Sequence, residues 1–93
     1  MNSKENELRC DKYIASVCNL HTMVHFSKMS NYDGSKVLYH VMVFDYESGK
    51  VEEYNERTLM RGFEKYVKLC KKYGMETCAE NHFDMKAFLE EIN

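Results

Sequence analysis

The spacing of apolar side chains changes several times along the chain, and each change marks an element. Over residues 4–18, Cys10, Tyr13, Ile14 and Val17 recur at offsets of three, one and three. At 100° per residue they fall within one arc, with Arg9, Asp11, Lys12 and Ser16 mostly outside it. This predicts an amphipathic helix capped by Ser3 and ending near Asn19.

Residues 22–29 switch to a period of two. Val24 and Phe26 point one way and Met23 and His25 the other, as in a strand. Residues 30–35 read as a turn, with Gly34 suited to positive φ. Residues 36–46 carry the strongest strand signal. Val37, Tyr39, Val41 and Val43 line one face; Leu38, His40, Met42, Phe44 and Tyr46 line the other. Both faces are largely apolar, so this strand is expected to be central, with helices covering either one face or both. Residues 47–50 form a second turn and 51–54 a short third strand, whose Glu52 and Glu53 suit an exposed edge that resists pairing.

A helical period returns over residues 56–73, with Asn55 as the expected cap. Leu59, Met60, Phe63, Tyr66, Val67, Leu69, Cys70 and Tyr73 form its apolar side; Arg61, Glu64, Lys65, Lys68, Lys71 and Lys72 form the remainder. Gly62 falls within the apolar arc. A glycine there costs up to about 1 kcal/mol relative to alanine, which implies that a strand or helix approaches too closely for a side chain. Gly74 is placed to end the helix. A last helix runs to Ile92. Thr77 with Glu80 and Asn81 with Asp84 both have capping-box spacing, and the Asn81 start puts Met85, Phe88, Leu89 and Ile92 in one stripe. The expected architecture is a single α+β domain over residues 1–93. It has a three-stranded antiparallel meander, an N-terminal helix and two C-terminal helices, in the order α-β-β-β-α-α.

Composition supports a folded domain. Apolar types make up 44% of the 93 residues, with four glycines and no proline, against disorder or low complexity. At this length about 65% of the chain's surface can be buried, enough for one modest core. No apolar run is long enough to span a membrane, and no basic segment precedes an apolar one as in a secretory signal. A soluble, cytoplasmic chain is therefore expected. In that reducing setting Cys10, Cys18, Cys70 and Cys78 would be free thiols rather than disulfides.

A net charge of −2 implies no general affinity for nucleic acid, so any such activity needs a local patch. One exists. Arg61, Lys65, Lys68, Lys71 and Lys72 lie on the polar side of one helix, where they could meet phosphates. No polar base-reading set accompanies them. The order α-β-β-β-α also occurs in double-stranded RNA-binding domains, but their basic helix-start and loop motifs are absent here.

Thiols and imidazoles suggest zinc as another alternative, with Cys18, His21, His25, Cys70, Cys78 and His82 as candidate ligands. No short CxxC pair exists to hold two ligands together. Catalysis has less support. Four cysteines and four histidines allow sixteen nucleophile–base pairs, and nothing marks one of them as reactive. There is no serine elbow, phosphate loop or HExxH, and no cofactor is implied.

The favoured reading is non-enzymatic binding of a protein partner, or of a second copy of the chain, by an adaptor, subunit or inhibitor. Twelve aromatics, seven of them tyrosine, and seven methionines suit an adaptable interface. The expected patch is Tyr39, Val41 and Val43 with Tyr32 and Tyr54, leaving Leu38, Met42 and Phe44 to the core. Small intracellular inhibitors, including viral ones directed against host defences, share this profile as a class.

Overall fold

The computed structural model describes residues 7–75, which form four strands followed by a single helix. The strands are β1 (Arg9–Cys18), β2 (Thr22–Ser30), β3 (Val37–Asp45) and β4 (Val51–Glu56); the helix is α1 (Leu59–Lys72). They build one antiparallel sheet in the order β1-β2-β3-β4. This corrects the expected three-stranded sheet with an N-terminal helix beside it. Ser3 and the expected last helix to Ile92, with Cys78, Asn81 and His82, lie outside the described residues.

The expected N-terminal helix fails because β1 is irregular. Its pairing with β2 slips between Cys10 and Lys12 and again between Tyr13 and Ala15. Each slip inserts one unpaired residue, Asp11 and then Ile14. A bulge of this kind adds one residue to a two-residue period. The resulting spacing of three imitates a helix. Ile14, Ala15 and Val17 are nonetheless fully enclosed in the sheet's core.

The remaining strands follow their alternation. β2 and β3 pair without interruption from Thr22–Asp45 to Ser30–Val37, and β3 pairs with β4 from Tyr39–Glu56 to Phe44–Val51. Side chains of Asn19, Asn31 and Asp45 hold the three turns by accepting backbone N–H bonds. Asn19 Oδ1 accepts from His21 and Thr22 at 2.8 Å each, Asn31 Oδ1 from Lys36 at 3.0 Å, and Asp45 Oδ1 from Glu47 at 2.9 Å. Such Asx geometry makes a tight connection from a side-chain acceptor.

α1 starts three residues later than its polarity suggests. Asn55 is paired with His40 in the sheet, and Thr58 caps instead, its Oγ1 accepting the Arg61 N–H at 3.2 Å. The helix ends as its sequence indicates. Gly74 has φ +75°, the Gly74 N–H donates to Lys71, and the Met75 N–H donates to Cys70 at 2.8 Å. These are the paired bonds of a Schellman motif, and Met75 is buried beyond them.

α1 lies across one face of the sheet, over β2, β3 and β4. Leu59, Tyr66, Leu69 and Cys70 pack on Val24, Phe26, Val41 and Val43. The close approach implied by Gly62 is present: a Cβ there would stand 2.8 Å from Phe26 Cε1 and 2.9 Å from Tyr39 Cβ. Tyr66 stacks on Phe26 with ring centroids 5.7 Å apart.

Candidate functional site

The strict register of β2 and β3 divides the sheet's side chains into two sets. One set lies beneath α1: Val24, Phe26, Tyr39, Val41 and Val43. The other is the opposite face, where Met23 neighbours Phe44, His25 neighbours Met42, Ser27 neighbours His40, and Met29 neighbours Leu38. Val51 and Glu53 of β4 and Tyr13, Ser16 and Cys18 of β1 continue this face by register. Among the described residues no element lies over it. Met23, Met29, Leu38, Met42 and Phe44 are half-buried, while Tyr13, Tyr46 and Val51 at its margin are exposed.

The assignment of faces is thus the reverse of that expected from sequence. Val41 is 0% and Val43 3% exposed, so neither offers a surface to a partner, and half-buried Tyr39 packs against the same core. Leu38, Met42 and Phe44, expected inside, form the open face. Tyr32 sits in the β2–β3 turn at 85% exposure. Tyr54 lies on the helix side, with Lys65 Nζ 4.1 Å from its ring centroid. The expected patch is therefore not one surface. Met23, His25 and Met29 were absent from it because only strand pairing sets them beside Leu38 and Met42.

Two histidines occupy the middle of the open face. His25 lies against Tyr13, ring centroids 5.6 Å apart. Burial, with His40 nearby, lowers its pKa from the ordinary histidine value. His40 Nε2 is 3.2 Å from Glu53 Oε1. At the margin Phe44 meets Tyr46 edge-on at 5.4 Å.

The basic residues of α1 are placed differently. Arg61, Lys65, Lys68 and Lys72 recur at four, three and four residues, forming a stripe beside the β4 edge. Glu56 and Glu64 line the same open groove as Arg61, Lys65 and Lys68. Glu52 accepts hydrogen bonds from the hydroxyls of Tyr54 and Tyr73, and that bond is the chief reason the Tyr54 pKa is raised. Lys72 Nζ lies 5.3 Å from the Tyr73 ring. Lys71 stands apart from the stripe and, with Lys72, faces the negative end of the helix dipole. A stripe interleaved with glutamates is poorly suited to following a phosphate backbone.

Those of the proposed zinc ligands that lie among the described residues, Cys18, His21, His25 and Cys70, do not converge; Cys78 and His82 lie outside them. Cys18 and His25 are on the open face, whereas Cys70 is buried under α1 on the other side of the sheet. His21, in the β1–β2 turn, contacts Glu47 Oε1 at 3.0 Å. Among the described residues no three histidine, cysteine or acidic side chains group to hold a metal ion. Cys10, Cys18 and Cys70 are free thiols. Burial raises the pKa of the Cys70 thiol, opposite to what a nucleophile needs. No helix among the described residues is long and apolar enough to cross a membrane.

No protein-family model, curated protein or solved structure matches the chain.

Proposed function

We propose that this small, compact domain is a non-enzymatic protein-binding module that acts through the sheet face opposite α1. The observation that supports this reading is the one-sided packing of the sheet among the described residues. α1 covers Val24, Phe26, Val41 and Val43, while a continuous row of methionine, leucine and phenylalanine remains in contact with solvent across β2 and β3. Contiguous apolar surface of this kind marks interaction sites on folded domains. Methionine adapts its shape to a partner, and tyrosine at the margin joins apolar area to a hydroxyl.

The test compares two folded variants in a crosslinking experiment in extract from the source cells. Met42→Glu places a charge in the open face; Lys68→Glu alters the helix side. Crosslinks lost in Met42→Glu and retained in Lys68→Glu support the reading. The same crosslinked species with wild type and Met42→Glu would sink it.

A further inference from the structure

We infer that the occupant of the open face is a second copy of the chain, packed sheet against sheet, and that His25, against Tyr13 in the middle of that face, makes this dimer acid-labile. The inference rests on the protein-binding reading above and names its partner.

The first argument is area. Strands of about nine residues at ~3.4 Å per residue, four abreast at ~4.8 Å, give a face of about 500 Å² in projection once the shorter β4 is allowed for. Two such faces remove about 1,000 Å² or more from water, the level at which specific interfaces begin. Two sheets stacked this way interdigitate their side chains about 10 Å apart, as in a β-sandwich.

Charge is the second argument. Among the outward positions of the described strands there is no lysine or arginine, and Glu53 is the single carboxylate, held beside His40. A face that is nearly neutral meets its own copy without like-charge repulsion. The helix side, with Arg61, Lys65, Lys68, Lys71 and Lys72, does not have that property.

The acid response follows from what surrounds the His25 imidazole. Tyr13, Cys10 and Cys18 share the face from β1, His40 stands near His25 from β3, and Glu53 reaches His40 from β4. α1 is on the far side of the sheet and contributes no group. Protonation of His25 would place an imidazolium ion in an apolar contact, while the one carboxylate of the face, Glu53, lies beside His40 instead. A dissociated copy leaves that ion hydrated, so acid favours the monomer.

Sedimentation velocity of the full chain at tens of micromolar tests this, with wild type, Met42→Glu and Leu38→Lys each checked for fold by circular dichroism. A species of about 22 kDa at pH 7.5, twice the 11.1 kDa chain, that becomes monomeric in either folded variant supports the inference. A wild-type monomer, or a dimer indifferent to both substitutions, overturns it. Between pH 7.5 and 5.5 the dimer should weaken about tenfold, and His25→Gln should remove that dependence. A dimer equally tight at both pH values overturns the histidine part. Hydroxyl-radical footprinting of Met23, Met29 and Met42 separates the two levels of failure. If the protein is monomeric and these methionines react, the face is open and awaits a different protein. If it is monomeric and they are protected, the chain covers its own face and the protein-binding reading falls as well.

Discussion

Gly62 and Phe26 are in contact across the helix–sheet interface, so close that a methyl group on residue 62 would sit 2.8 Å from the Phe26 ring. Tyr39 Cβ, 2.9 Å from the same point, is fixed by the β3 backbone and cannot swing away. The position of α1 over β2 and β3 therefore depends on one missing side chain.

Gly62→Ala should destabilise the domain. Alanine gains up to about 1 kcal/mol of helix propensity, but forcing a methyl into a packed core costs about 1–3 kcal/mol. A net loss of about 1–2 kcal/mol is expected in urea denaturation. An unchanged or higher midpoint would mean that α1 does not approach the sheet this closely.

The helix start offers a second check. Thr58→Ala should cost about 1 kcal/mol, the usual loss for removing an N-cap oxygen. Asn55→Ala, at the residue whose polarity suggests the cap, should cost less, because Asn55 is an exposed position of β4. Matched denaturation curves for the two variants decide it. A larger loss at Asn55 would restore the earlier helix start.

His25 should make stability fall as pH drops. Its folded-state pKa lies below the ordinary value of 6.5 because burial disfavours the charged ring, with His40 adding to the effect. The unfolded chain then binds more protons, so the contribution is present above about pH 6.5 and is lost as pH falls toward the folded-state pKa. Asp33 and Asp45 act lower. Hydrogen bonds from the neighbouring turn residues hold their pKa values below 3.8, so their effect appears only under stronger acid. Urea midpoints between pH 7.5 and 5 should decline in wild type and flatten in His25→Gln. Parallel slopes would count against a half-buried His25.

The thiols should react in a fixed order. Cys10 and Cys18 are exposed, while Cys70 is buried beside Tyr66 with its pKa raised by that burial. Limited alkylation of native protein, mapped by mass spectrometry, should label Cys10 and Cys18 well before Cys70. Early labelling of Cys70 would show that α1 opens readily.

For nucleic acid the expected result is weak binding. Glu52, Glu56 and Glu64 lie along the Arg61–Lys72 stripe, so retention of DNA or RNA should be slight and unaffected by reversing Lys65, Lys68 and Lys72. Tight binding that falls steeply with salt and disappears in that variant would place function on the helix side instead.

Several parts of this protein were legible along the chain because each depends on near neighbours. The alternation of residues 22–29 and 36–46, the turns containing Gly34 and Gly49, the lysine-rich helix side, and the ending at Gly74 all express local periodicity or a single residue's conformational freedom. Gly62 also announced a close approach, although not to which residues. Two features were decided only by tertiary structure. β1 is a strand because Ile14, Ala15 and Val17 bury against β2, and its bulges at Asp11 and Ile14 disguise a two-residue period as a helical one. The open face is Leu38, Met42 and Phe44 rather than Tyr39, Val41 and Val43, because α1 descends where Gly62 lets it meet Phe26 and Tyr39. Both faces of β3 are apolar, so its own residues favour neither side. The helix chooses, and the candidate binding surface is the side it leaves open.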